Sequence, residues 1–425
     1  MNFGKSVGRH TDQAVKKMAE MMEKERKEPP KEEAPIYKES ALGLFPQTVF
    51  KANGMKAVRE RVDELVKDLH GTKQKWTDND FKPELASIFK EQDKVEAATA
   101  AKIKKAKWLR PQQITMKSDL VGFLDINRTK ATKKELDGLK ELELADSHRI
   151  AQSAILDNRW LLNAISMVAA EERQLELLTC QTEKEIVKMR EEFGLYVFRF
   201  FKGGEMVIVI VDDFIPTEEL PNGKPVPLFA RCSNPLLFWA SIVEKAYAKL
   251  HGRYFALNGG STDEALEDLT GVPVDNVFID DGSTMTDKKT LFNSLKTLCY
   301  NHCIVGCKID MEMFPRLNEN KIEKEKHYAK AKANGLQPFH MYSVLDVRTV
   351  MGPSPAQGGE QIEYNLVRLQ NPWADASEWK GRCSDANDDF WTPEVKQALN
   401  SQDQLAAAGA EGADQDTLSS KRFLH

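Results

Sequence analysis

Long apolar runs are missing from this 425-residue sequence. A membrane-crossing helix needs about 18–20 consecutive apolar residues, and no stretch reaches that length. The opening Met1-Asn2-Phe3-Gly4-Lys5 has neither the apolar core of a signal peptide nor a glycine at position two for myristoylation. An intracellular protein without a membrane span is therefore expected. Cysteine is scarce as well: Cys180, Cys232, Cys299, Cys303, Cys307 and Cys383 are all there is, with no CxxC pair. Three of them fall four apart in or beside the apolar stretch 298–309 with only His302 nearby, a poor zinc pattern, so reduced core residues are expected. Neither sign of charge dominates. Sixty Lys and Arg against 65 Asp and Glu leave a net charge of −5, mixed along the chain, which argues against a nucleic-acid-binding field and against an acidic disordered chain. No internal repeat is evident.

The length suggests two or three domains. Residues 11–28 carry a narrow apolar stripe (Val15, Met18, Met21, Met22) that suits either a partner-docking arm or a loosely attached helix, and the proline-bearing stretch 27–36 reads as a linker. A helix is expected around 55–70, then an irregular segment whose Trp76 and Phe81 anchor it to a core. Asp125-Ile-Asn127-Arg-Thr129 sets oxygen ligands at alternate positions, but Lys130 stands where a calcium loop turns on glycine and Leu136 where it needs a bidentate Glu, so it is not an EF-hand. Residues 171–191 suggest one helix. Tyr196–Phe200 and Glu205–Asp213 suggest a strand pair turning at Gly203-Gly204, the second strand central because it is continuous in β-branched residues. A helix over 240–250 leads to Asn258-Gly259-Gly260-Ser261, which reads as a flexible domain boundary. Beyond it come a helix over 287–301, strand-like runs at 303–309, 341–347 and 364–369, a charged excursion over 315–337, and an aperiodic tail from Ser401 that is expected to be poorly ordered.

The stretch Leu156-Asp157-Asn158-Arg159-Trp160-Leu161-Leu162 stands apart. Trp160, Leu161, Ala164, Ile165 and Val168 recur at helical spacing, and Asp157 or Asn158 is available to cap the helix they predict. Arg159 then lies in the first turn, where the helix dipole disfavours a cation by about 0.3–1 kcal/mol. On local evidence its side chain either reaches solvent or pairs with Asp157.

Ten motifs in order give the stretch a context: Trp108-Leu-Arg-Pro, Trp160-Leu-Leu, Val211-Asp-Asp with Pro216, Phe238-Trp239, Glu244-Lys-Ala-Tyr-Ala-Lys249 with Gly252, Ala256-Leu-Asn-Gly-Gly-Ser261, Glu267-Asp268 with Thr270-Gly271, His340-Met-Tyr-Ser-Val344, Asn371-Pro-Trp373 and Glu378-Trp-Lys-Gly381. Over roughly residues 76–395 the chain resembles the protease core of calpains, the calcium-regulated branch of the papain-like cysteine proteases. The resemblance implies an α+β, papain-like two-lobe fold: a helical arm and linker over 1–40, a helical first lobe over 41–258, a shortened antiparallel-sheet second lobe over 259–400 and a disordered tail over 401–425.

Carried over residue by residue, the family's site is divided. His340 matches the general base and Asn371 the residue that orients it, but the nucleophile position holds Arg159. The oxyanion glutamine reads Ser153, with Gln152 one residue out of register, and the glycine before the histidine reads Phe339. Of the family's calcium ligands Glu205 matches in the first lobe, where the acid nine before the nucleophile is Ile150; Glu378 and Asp385 match in the second, but the Phe-Trp-Met strand expected after residue 400 is absent from this sequence. The resemblance thus implies no cofactor, vestigial calcium positions, and a catalytically inactive calpain-like protein acting as an interaction or scaffold component with protein partners. Such relatives suggest cytoskeletal or axonemal partners and a cytoplasmic location at the cytoskeleton or cilium. The alternative is an active endopeptidase with an unforeseen nucleophile.

Overall fold

The computed structural model describes residues 48–91, 93–115, 150–153, 155–232, 234–277, 279, 287–309, 321–354, 360–371 and 378–408. The expected arm and linker over 1–40, the Asp125–Leu136 segment and the tail beyond Ala408 lie outside them. Two compact units divide the chain, Met1–Asp275 with Pro372–Ala374, and Asn276–Asn371 with Asp375–His425. Every strand pair among the described residues is antiparallel, and helices accompany the sheets, so the class is α+β as expected.

The first unit is rich in helix, as expected, and its strands form three small sheets. β1 (Val49–Lys51), β2 (Lys107–Leu109), β3 (Ile150–Ala151), β4 (Leu195–Lys202), β5 (Glu205–Asp212), β6 (Ile215–Glu219), β7 (Pro225–Pro227) and β8 (Arg231–Cys232) pair in the orders β1-β5-β4, β2-β6-β7 and β3-β8. β4 and β5 form the hairpin predicted at Gly203-Gly204, and β5 is the central strand, buried from Val207 onward. Its Ile208 and Ile210 join Val58, Val62 and Val66 of helix Met55–Val66 and Phe193 of helix Lys184–Phe193 in one apolar cluster.

Helix Trp239–Leu250 is buried at all its positions, Glu244, Lys245 and Lys249 included. A buried charge is tolerated only when it is paired and its remaining hydrogen bonds are made, and here they are. The Lys245 ammonium donates to the Asp212 carboxylate, to Asp212 O at 3.1 Å and to Phe214 O at 2.8 Å. Lys249 donates to Asp78 Oδ2 at 2.5 Å and Ile210 O at 2.7 Å. Asp78 Oδ1 in turn accepts from the backbone N–H of Asp80 and of Phe81, which fixes the irregular 76–81 segment with Trp76 and Phe81 in the interior.

Two expectations for this unit need correction. The single helix over 171–191 is two, Glu172–Leu178 and Lys184–Phe193, broken where Cys180 takes a left-handed φ of 52° and buries its thiol. Asn258-Gly259-Gly260 is not the boundary, which falls at Asp275 and Asn276. Gly260 lies against the Trp160 indole, where a Cβ would come within 2.4 Å of Cε2, and Ser261 caps helix Thr262–Thr270 by accepting from Asp263 N. Gly260 serves close packing, and Gly259 takes a left-handed φ of 75°.

In the second unit β9 (Gly306–Lys308), β10 (Met341–Pro353) and β11 (Gln361–Gln370) form one sheet in the order β11-β10-β9, with a register shift between Val344 and Asp346. Phe390, Val395 and Leu399 cluster with Val350 on this sheet. Helices Lys288–Tyr300 and Lys321–Ala333 precede β9 and β10 respectively. Helix Pro393–Ala408 continues past Ser401, where an aperiodic tail was expected. All six cysteines are free; Cys180 and Cys232 are buried, whereas Cys299, Cys303 and Cys307 are only partly so.

Lys249→Met should lower stability by about 3–5 kcal/mol in urea unfolding, since it leaves the Asp78 carboxylate buried without its cation; a loss under about 1 kcal/mol would contradict the pairing.

Candidate active site

The helix expected at the centre of the sequence runs Arg159–Ala169, with Leu161, Ala164, Ile165 and Val168 buried and Trp160 partly so. Its N-cap is Asn158, but contrary to expectation the Asn158 side chain makes no capping bond. Its Nδ2 donates instead to Glu244 Oε1 at 2.7 Å, while Glu244 Oε2 accepts from Ala230 N at 2.9 Å. The preceding residue is tied elsewhere: Asp157 N donates to Asn258 Oδ1 at 2.9 Å, Gly259 N to Asp157 O at 2.9 Å, and Trp160 Nε1 to Leu257 O at 3.1 Å. The helix start is thus held by Glu244 and by the 257–259 loop, and position 159 is set by its surroundings. Arg159 projects with its side chain 56 % exposed and its Nε 3.8 Å from Asp157 Oδ1, a long ion pair. Ser153 Oγ accepts from Ile155 N, and the Gln152 amide is committed to Leu156 O, both at 3.2 Å.

The second unit brings His340 and Asn371 together. Both are buried, and His340 Nε2 lies 2.8 Å from Asn371 Oδ1. An amide oxygen only accepts, so the neutral ring carries its hydrogen on Nε2 and its lone pair on Nδ1. Tyr342 packs edge-on to the imidazole at 4.7 Å and accepts from Gln337 N through its hydroxyl. Phe339, directly before the histidine, adopts φ 60°, the left-handed region that an L side chain enters at a cost of about 1–2 kcal/mol. Its N–H donates to Ile309 O at 2.8 Å, and its ring stacks obliquely on Tyr328 at 5.1 Å.

Residues 76–408 match the calpain family of cysteine proteases. The chain belongs to that family. It is 31 % identical over 236 residues to a calpain of Schistosoma mansoni, covering 56 % of this chain and 27 % of that protein. Against calpain-5 of Caenorhabditis elegans it is 31 % identical over 275 residues (62 % and 39 %), and against the calpain-2 catalytic subunit of Gallus gallus 31 % over 258 residues (59 % and 31 %). The chain spans well under half the length of these relatives.

A hard cation takes six to eight oxygens. Ile150 is a buried strand residue without a donor, the Glu205 carboxylate is paired with Lys51, and Glu378 and Asp385 are exposed. Among the described residues no group of three or more His, Cys, Asp or Glu could hold a metal ion. In the sequence Glu244 and Asn258 stand only as pieces of motifs, without a sign of the contacts they make. The signal available was a carboxylate within a helix whose other residues are largely apolar, which needs a buried partner.

Burial pushes the Glu244 carboxyl up to about 7 from its ordinary 4.5, against the opposing pull of Ala230 N–H and Asn158. The folded state therefore keeps a proton that the unfolded chain releases, so this contribution to stability is full below pH 4.5 and is lost as pH rises through about 7. Asp213, pushed by burial to about 6, acts in the same direction. In urea titrations across this window, Glu244→Gln should flatten the fall in stability by up to about 1.4 kcal/mol per pH unit; an unchanged slope would contradict the assignment. At position 339, Ala keeps the left-handed strain and Gly removes it, so Phe339→Gly should be more stable than Phe339→Ala by about 1 kcal/mol, the reverse of the usual order. Chemical denaturation of the two variants checks this.

Proposed function

We propose that this calpain-type chain is catalytically silent and acts as an interaction or scaffold component that binds protein partners without cleaving them. Arg159 carries the reading. Peptide-bond cleavage by this fold needs a nucleophile at the head of the Arg159–Ala169 helix, and a guanidinium is protonated at every accessible pH, offers donors only and has no lone pair to attack a carbonyl. Ser153 and Phe339 add to it, since an oxyanion donor and a close-approach glycine are both replaced. The thiols of the first unit offer no substitute: burial pushes both Cys180 and Cys232 up to about 12, far from the thiolate that attacks. His340 and Asn371 are then scaffold that the fold retains. The partners are proteins, of the cytoskeletal or axonemal class in a cytoplasmic setting, which co-sedimentation of the full chain with microtubules addresses.

The full-length protein should show no turnover of a calpain peptide substrate with or without calcium, and Arg159→Cys alone should restore only a small part of calpain-level turnover. Turnover by the unmodified chain that a thiol-directed epoxide abolishes would overturn this function.

A further inference from the structure

β11 is an outer strand of its sheet: it pairs with β10 on one side, and among the described residues no strand pairs with it on the other. Which of its backbone groups face the open side follows from the alternation of antiparallel ladders, in which every second residue bonds a given neighbour. Ser354 N donates to Glu360 O at 2.8 Å, one step beyond the Pro353–Gln361 pair, so Ile362, Tyr364, Leu366 and Arg368 turn to β10. Gln361, Glu363, Asn365, Val367 and Leu369 then turn their N–H and C=O groups outward. The other end of the pair agrees: Val344, opposite Leu369, donates its N–H away from β11, to Val305 O at 2.8 Å. All the outward residues are exposed, and no other backbone hydrogen bond reaches them among the described residues. An edge of this kind is usually blunted by proline, lysine, a bulge or brevity. β11 is ten residues long and holds neither proline, glycine nor lysine, and the register shift of the pair lies in β10, between Val344 and Asp346.

We propose that the outer edge of β11 takes up an extended segment of a partner protein as a further antiparallel strand, with apolar residues opposite Val367 and Leu369 and a lysine or arginine opposite Glu363. The proposal gives a site to the partner protein of the preceding reading, but it stands on the strand geometry and not on Arg159. Main-chain bonds to the outward residues supply affinity, and alternate side chains supply specificity. Antiparallel addition continues the ladder of the sheet, and a parallel one is slightly less stable per residue. The outward residues divide into an apolar half, Val367 and Leu369, each 40 % exposed, and a polar half, Gln361, Glu363 and Asn365, with one carboxylate. Val347 and Val344, directly across from the apolar half on β10, are buried, so an apolar residue on the far side would extend that row to a third strand. Opposite charges directly across a ladder attract, which is why Glu363 selects a cation. A second copy of β11 is a poorer match, since two-fold pairing along nearly its whole length sets Glu363 against Val367 or Leu369.

Fluorescence anisotropy of the full chain with a labelled Thr-Ile-Thr-Val-Thr-Thr-Thr-Lys-Thr peptide tests the edge; antiparallel pairing sets its Ile, Val and Lys opposite Leu369, Val367 and Glu363. N-methylation of the Ile and Val amides keeps the side chains and removes two donors that face β11, so binding should weaken at least about tenfold. Methylation of the Thr on either side of Val, whose amides face away, should change it less than about threefold. Val367→Pro removes an outward N–H that the β10 ladder does not use and should also weaken binding at least about tenfold. Glu363→Lys, a surface change that leaves the fold intact, should weaken the peptide about threefold and favour its Glu-for-Lys counterpart. Equal binding of the two methylated peptides, no binding of the unmethylated one, or indifference to Glu363→Lys would overturn the docking edge. Concentration-dependent dimers that exclude the peptide would overturn it too, in favour of a second copy. Failure of the edge leaves the noncatalytic reading standing, whereas turnover of a calpain substrate would overturn that reading and leave the edge untouched.

Discussion

Three ionisable side chains on one fully buried helix hold the first unit together. Lys245 and Lys249 cross the interior to Asp212 and Asp78, and Glu244 reaches the residue before position 159. Such pairs contribute little net stability compared with an apolar core of the same shape, but removing one partner is costly. Their effect is specificity of position. The end of β5, the irregular segment 76–81 and the start of the Arg159–Ala169 helix are all located by reference to helix Trp239–Leu250.

The same scaffold makes the substitution at 159 informative. A helix start held by Asn158, Asp157 and Trp160 presents whatever stands at 159 in a fixed direction. Here it presents a guanidinium that is exposed and weakly paired with Asp157. In the second unit His340 and Asn371 keep a hydrogen bond of 2.8 Å, while the adjoining Phe339 bears a backbone conformation suited to glycine. The chain keeps the His340–Asn371 pair in the second unit and carries Arg159 at the helix head in the first.

Much of this was legible beforehand. The hairpin at Gly203-Gly204, the central β5, the helices near 55–70, 240–250 and 287–301, and the family itself followed from periodicity, turn residues and motif order. The failures share a cause. Cys180 in a left-handed turn, the Asn258-Gly259-Gly260 loop against Trp160, and the Asn158 side chain turned to Glu244 are all set by partners distant in sequence, and local patterns carry no trace of them.

The sequence by itself determined that position 159 lacks a nucleophile, because a guanidinium has no lone pair in any fold. It also determined the alternation and the helical stripes, because burial must follow the period of the backbone. Only the tertiary structure decided how the buried charges pair, that Phe339 is strained and exposed, and that Glu205 faces Lys51. Each of those depends on which groups meet in three dimensions, since desolvation is balanced by specific partners and not by local propensity.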